Sequence, residues 1–299
     1  MKLSINHETK YVYTTDVETA QHTTCLKPLE LSVQHLLSHQ LQIVPEPMHI
    51  AHTTDVYSNH RSFFSLQVPH DELKVISSSV VKTSSLDLPP STIAWETVRD
   101  LFVYRSNAEF LNATEFTFAS NHAKAHSEFL SYAKTSFAAG RSLMEASIEL
   151  MQRMHQDFKY ESNSTEIETP ALEALAQKKG VCQDFAHIMI ACLRSLGLSA
   201  RYTSGYLLTH PASGQQKLIG SDASHAWISV FLPDAKDTST EGWFDLDPTN
   251  NRSGWGSPGE DYITVATGRD FSDVSPVRGV INGGDKHTLQ VAVTVTPLD

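Results

Sequence analysis

The sequence predicts an α+β chain. A small all-β sandwich domain is expected over residues 1–86, followed over 87–299 by a core in which helices precede, and pack on, an antiparallel sheet. Three observations carry this. Apolar residues alternate at period two until about residue 86; the period lengthens to that of a helix after Pro89-Pro90; and β-prone runs return after Gly197.

In the first stretch the alternation runs through Leu3 and Ile5, Tyr11 and Tyr13, Leu41 and Ile43, Leu66 and Val68, then Val75, Val80 and Val81. Breaks at Pro28, Pro45, Pro47, Asn59 and Pro69 cut it into strands. His35 and His39 stand four apart, a spacing that makes a metal pair only on a helix, and no helical pattern surrounds them. They read as solvent-facing.

Beyond Pro90, a helix is expected over 91–99 with Ser91 as its cap, a second over 127–138, and a longer amphipathic one over 141–158 carrying Leu143, Ile148, Met151 and Met154. His122 and His126 again stand four apart, but no acid lies between them as it does in a zinc-protease helix. Met144, Met151 and Met154 read as core filler. Thr169-Pro170 opens another helix to about Lys178, and Lys178-Lys179-Gly180 closes it, with Gly180 supplying the turn. An amphipathic helix then starts at Cys182 and stops at Gly197. Strands follow over 200–203, 206–208, 225–232, 243–246, 262–266 and 289–296, with a polar loop around 209–221 that could shape a cleft.

The 299 residues carry a net charge of −11 with no basic run, which argues against binding a phosphate backbone. No window approaches the roughly 18 apolar residues of a membrane span, and the N-terminus lacks an apolar leader core, so a cytoplasmic protein with neither nucleic acid nor membrane as partner is expected. The three cysteines, Cys25, Cys182 and Cys192, are too few and too scattered for a disulfide framework or a zinc ribbon.

Cys182 is the candidate nucleophile. A thiol at the start of a helix faces unpaired backbone N–H groups and the positive end of the helix dipole, both of which favour a thiolate. Cys192, ten residues on between Ala191 and Leu193, reads as packing. Thiol chemistry also needs a base and a group to orient it. His225 opens the apolar strand Ser224-His225-Ala226-Trp227-Ile228-Ser229-Val230, and a hairpin that brings Phe231 near Glu241 or Gly242 carries His225 opposite Asp247 or Pro248, to within about two residues. Asp245 and Asp247 share a face of the second strand, so periodicity alone admits either; position along the strand favours Asp247.

Gly180-Val181-Cys182-Gln183-Asp184-Phe185-Ala186-His187, Ala200-Arg201-Tyr202-Thr203-Ser204-Gly205-Tyr206, Ser224-His225-Ala226-Trp227 and Asp247-Pro248-Thr249-Asn250 together resemble the bacterial transglutaminase-like superfamily. Thr267-Gly268-Arg269-Asp270-Phe271 and Pro276-Val277-Arg278-Gly279 are similar to the tail of that group, and the N-terminal strands to the β-rich domain that often precedes it. The resemblance implies a papain-like, transglutaminase-like core and a Cys-His-Asp site at Cys182, His225 and Asp247, with no departure at those positions.

It further implies cysteine-dependent acyl transfer on amide or isopeptide bonds of a peptide, a protein or a small isopeptide-containing molecule. Hydrolysis is favoured over transamidation because no calcium-loop pattern is present. No cofactor or metal is expected. Gln183 and Trp227 are candidates for substrate or oxyanion contacts, and Arg269 or Arg278 for a substrate carboxylate. Two other readings use the same residues: zinc ligation by Cys182, His225 and Asp247, and a binding or scaffold protein that keeps the fold without turnover.

Overall fold

A computed structural model of the chain describes residues 1–104, 111–161, 169–209, 224–236 and 238–298. The first five strands are β1 (Lys2–Thr24), β2 (Gln34–Val44), β3 (Ile50–Thr54), β4 (His60–Leu66) and β5 (His70–Thr83). Helices α1 (Trp95–Tyr104), α2 (Leu111–Thr114), α3 (Ser127–Lys134) and α4 (Leu143–Asp157) follow, then β6 (Lys159–Tyr160), α5 (Ala171–Gln177), β7 (Lys179–Gly180) and α6 (Cys182–Ser195). The chain ends with β8 (Ala200–Leu207), β9 (Ser224–Phe231), β10 (Trp243–Asp247), β11 (Arg252–Trp255), β12 (Tyr262–Gly268), α7 (Phe271–Val274), β13 (Val277–Gly283) and β14 (His287–Pro297).

The long strand β1 organises the first sheet. Its N-terminal half lies between β5 and β14, and its C-terminal half between β4 and β13. The register with β5 jumps between Val12 and Val17, so the strand passes from one layer to the other there, as strands do at the corners of packed sheets. Tyr13, Val17 and Ala20 of β1 pack between the layers with Ile43, Phe64, Leu66, Leu73 and Val75. The strand expected over 289–296 therefore completes the N-terminal sheet instead of extending the core sheet, and β13 does the same. A division of the chain at residue 86 follows sequence order, whereas this sheet draws on both ends of the chain.

The second sheet has the antiparallel order β11-β10-β9-β8-β12. Ala200, Tyr202, Ala226, Ile228, Val230, Phe244 and Leu246 on its inner face join the helices in the main core, together with Leu3, Ile5, Val293 and Val295 from the first sheet. At the centre lies α6. The sequence suggested an amphipathic helix, but 11 of its 14 residues are buried, because its apolar residues run round every face and neighbours surround it. Each buried side chain such as Ile188 or Leu193 contributes about 1.5–3 kcal/mol relative to exposure, before ordering entropy is counted.

Other boundaries moved for identifiable reasons. Helix α1 starts at Trp95, and Ser91 caps nothing; its hydroxyl donates to Asp234 at 2.8 Å. Helix α3 is capped by His126, whose Nδ1 accepts from Glu128 N, and α4 by Ser142, whose Oγ accepts from Glu145 N. The two strands expected over 200–208 are one. Most of the loop expected around 209–221 lies outside the described residues.

Candidate active site

The approach to Cys182 is built from residues 178–184. Lys178, not Gly180, takes the left-handed turn that ends α5, with φ 50°. Gly180 serves close packing instead: a Cβ there would lie 2.6 Å from Asp184 Oδ2 and 2.8 Å from Asp184 Cβ. The Asp184 carboxylate folds back in this way to accept from Val181 N at 2.8 Å, satisfying a backbone donor ahead of the helix. Cys182 is thereby fixed as the first residue of α6, half-buried, while Cys25 and Cys192 are buried free thiols. Burial pushes the Cys192 thiol far up and, outweighing the charge of Arg61, that of Cys25 up to about 11. At the far end of α6 the guanidinium of Arg194 donates to the carbonyls of Phe116, Ala200 and Arg269, which anchors the helix against three segments.

His225 and Asp247 arrive from the second sheet. The β9–β10 ladder pairs Phe231 with Trp243 and Ile228 with Leu246. This is one to two residues from the register expected, and it sets His225 and Asp247 diagonally on one sheet face. Nε2 of His225 lies 2.7 Å from Asp247 Oδ2. That oxygen also accepts from the Tyr262 hydroxyl at 2.7 Å and Asn250 Nδ2 at 2.8 Å, and Oδ1 accepts from the backbone N–H of Thr249 and Asn250. With Nε2 held by the carboxylate, Nδ1 is the ring nitrogen left for exchange with the Cys182 thiol, whose proximity acts to raise the pKa of the ring.

Electrostatics follow from this packing. Burial alone would lower the His225 pKa, but the hydrogen bonds and charges of Asp247 and Cys182 outweigh it and lift the imidazole to about 10. Burial likewise opposes ionisation of Asp247, and the hydrogen bond and charge of His225, with the donors Asn250 and Tyr262, hold its carboxyl below the usual range. The arrangement is a half-buried cysteine near an imidazole whose Nε2 is tied to a buried carboxylate. Such a row can hold a thiolate and deliver a proton next to it.

A family model of the bacterial transglutaminase-like N-terminal region matches residues 3–82, and one of the transglutaminase-like superfamily matches residues 131–248. An uncharacterized protein of Mycobacterium tuberculosis is 36% identical over 301 residues, covering 99% of this chain and 92% of that protein. The chain belongs to the transglutaminase-like superfamily. A second relative, an uncharacterized protein of Mycobacterium leprae, is 31% identical over 300 residues, with 99% of each chain covered. The crystal structure of a candidate cysteine protease from Cytophaga hutchinsonii superposes with a TM-score of 0.73 at 19% identity, over 100% of this chain and 91% of that one. The fold of the whole chain, β-rich N-terminal part included, is thus shared with that protein.

Within this superfamily fold the remaining residues singled out in the sequence separate clearly. Gln183 is half-buried beside Cys182 in the first turn of α6. Trp227 is 0% exposed and lies behind the imidazole, with ring centres 6.1 Å apart, so it backs His225 and does not reach a substrate. Arg269 pairs with Asp273 at 2.9 Å, and Arg278 donates to the Ser272 carbonyl at 2.6 Å. His35 pairs with Glu30 and His39 contacts Ser79, both at the surface of the first sheet. Every oxygen of Asp247 is already engaged by donors, which does not suit a zinc ligand, and among the described residues no group of three or more His, Cys, Asp or Glu is disposed to hold a metal. Among the described residues no helix is long and apolar enough to cross a membrane.

Sequence reasoning missed Tyr262 and Asn250. Asn250 had a signal, three residues after Asp247 in a turn whose amides bind the aspartate side chain. Tyr262 had none, because it reaches Asp247 from a strand on the far side of the sheet.

Proposed function

We propose that the chain catalyses acyl transfer from amide or isopeptide bonds of a peptide-like substrate, with Cys182 as nucleophile, His225 as acid and base, Asp247 as the group that orients the imidazole, and water as the acceptor. The observation that supports this reading is the His225 ring tied through Nε2 to the buried Asp247 carboxylate at 2.7 Å, with Cys182 at the head of α6 close enough to raise the ring's pKa.

In the acylation step the Cys182 thiolate attacks the carbonyl carbon, and the negative charge passes to the carbonyl oxygen. The backbone N–H of Cys182 belongs to the first turn of α6, whose N–H groups have no intrahelical acceptor, and is a donor to that oxygen. The His225 imidazolium protonates the departing amine, and the C–N bond breaks to leave a thioester. A water then attacks the thioester carbon, His225 takes its proton, and the sulfur leaves as thiolate, releasing the acid. Asp247, anchored by Tyr262 and Asn250, keeps the ring proton on Nε2 and stabilises the imidazolium in both steps.

Product analysis with glutamine-containing and isopeptide-containing peptides, with and without an added primary amine, tests the reading. Release of free acid and amine, lost in Cys182→Ala, is expected. Incorporation of the added amine in preference to acid release would replace hydrolysis by transamidation, and turnover by Cys182→Ala at the wild-type rate would remove the thiol mechanism altogether.

A further inference from the structure

The motif around Arg201 is not used by the site described above. Arg201 of β8, Ser229 of β9 and Asp245 of β10 stand abreast on three adjacent strands, Arg201 opposite Ser229 and Ser229 opposite Asp245. They lie on the sheet face that carries His225, four residues further along β9, or about 13 Å at strand spacing. Over them is a cavity of about 430 Å³, within the range of small-molecule sites. It is closed from the first sheet by the segments at Leu29 to Leu31 and Tyr57 to His60, and from the core by Thr203, Thr264 and Thr267.

Two opposite charges face this cavity without meeting. Among the described residues Arg201 makes one hydrogen bond, from Nε to Ser229 Oγ at 3.4 Å, and forms no ion pair. Its guanidinium lies over the Trp243 ring, 4.0 Å from the centroid, which fixes the plane and leaves the two Nη groups free to donate. Asp245 is 4% exposed and accepts from Ser229 Oγ. Burial raises its carboxyl to about 6, against the pull of the Arg201 charge and of the Ser229 hydrogen bond, so it is ionised at neutral pH. Burial also lowers Arg201, to about 10, which leaves it a cation there. Holding a buried acid and a half-buried base apart costs free energy that a direct contact or a ligand recovers.

We propose that this cavity binds a small zwitterion of the amino-acid class, a free amino acid or a dipeptide, with its carboxylate on the Arg201 fork and its ammonium toward Asp245 and Glu241. A simple anion meets the surplus of acids, since Glu30, Glu241 and Asp245 line the space against Arg201. A simple amine meets the guanidinium. A ligand carrying both charges satisfies both walls, and the threonine hydroxyls between them offer neutral hydrogen bonds. The site does not depend on the reactivity of Cys182.

Isothermal calorimetry on the full chain tests this with L-alanine and glycylglycine, each compared with its N-acetylated and C-amidated form. One or both zwitterions bind, and removing either charge weakens binding at least tenfold; which of the two binds more tightly tells a free amino acid from a dipeptide. Arg201→Met, which keeps an apolar stem over Trp243, and the isosteric Asp245→Asn each weaken the zwitterion by a similar factor. The wild-type comparison of capped and uncapped ligands stands however either variant folds. No binding by either zwitterion at tens of millimolar, or equal binding of the capped forms, overturns the proposal. Because heat is read without turnover, failure here leaves the thiol chemistry untouched, and failure of the thiol chemistry leaves this site untouched.

Discussion

His225 and Asp247 are diagonal neighbours across β9 and β10, and their 2.7 Å contact assigns the two ring nitrogens different work. Nε2 is committed to the carboxylate, which leaves Nδ1 as the nitrogen free to exchange a proton with a thiol. The contact is reinforced by Tyr262 from β12 and Asn250 from the turn after β10, so three elements converge on one carboxylate oxygen.

Asp247→Asn should leave the fold intact and reverse the tautomer. An amide nitrogen would donate to Nε2 and push the ring proton to Nδ1, where it opposes the base role. Turnover should fall by about 10³- to 10⁴-fold, the scale of the same change in a serine protease triad. Steady-state rates alongside circular dichroism check this, and a loss below tenfold would show that Asp247 does not orient the ring.

The imidazolium should persist into alkaline solution. The His225 pKa is raised to about 10, so the protonated ring needed by the leaving amine is present at neutral pH and lost as pH rises through that value. The kcat/KM profile should hold a plateau through pH 8 and decline with a midpoint near 10. In Asp247→Asn the same limb should move to lower pH, because the largest force raising the pKa is gone.

Gly180→Ala should damage the site without touching it. The added methyl would meet the Asp184 carboxylate at 2.6 Å and displace it from Val181 N. A cost of about 1–3 kcal/mol in stability is expected from overpacking, with a drop in kcat as the start of α6 shifts. Thermal denaturation and rates measured together separate the two effects.

Stability should fall between pH 7 and pH 5. His187 is 3% exposed, stacked on His122 at 5.0 Å, and accepts from Phe271 N. Burial first, then the His122 charge, lower its pKa to about 3, while the unfolded chain protonates near the ordinary value of 6.5. The unfolded state therefore binds more protons throughout this window, and stability is lost as pH falls. Each histidine held neutral in this way contributes about 2 kcal/mol of that loss, and His7 and His22, both lowered to about 4 chiefly by burial, act in the same direction. Denaturant titrations at the two pH values should show the loss, and His187→Gln should reduce it by about one histidine's share.

Much of this was legible in the residues. The cysteine at a helix start and Asp-Pro at a strand end are local signals, and the hairpin placed His225 within two residues of its observed position. The face-sharing Asp245 and Asp247 were indistinguishable by period two; they part because Asp247 reaches the ring while Asp245 lies beside Ser229 in the row with Arg201. What escaped was non-local. The return of β13 and β14 to β1 joins residues more than 250 positions apart, and nothing in their alternation names the partner. Gly180 carried a turn signal that the chain spent on packing, while Lys178 took the strained angle. Arg201 sat in a quoted motif, but only the adjacent strands show that, among the described residues, its guanidinium lies near Asp245 without forming an ion pair with it.

Whether His225 activates the Cys182 sulfur is decided by alkylation kinetics. Iodoacetamide at pH 6 should modify Cys182 much faster than a free peptide thiol, sparing the buried Cys25 and Cys192, and the advantage should disappear in His225→Ala. Modification of Cys182 no faster than a free thiol, or an equal rate in His225→Ala, would mean that the imidazole does not activate the sulfur.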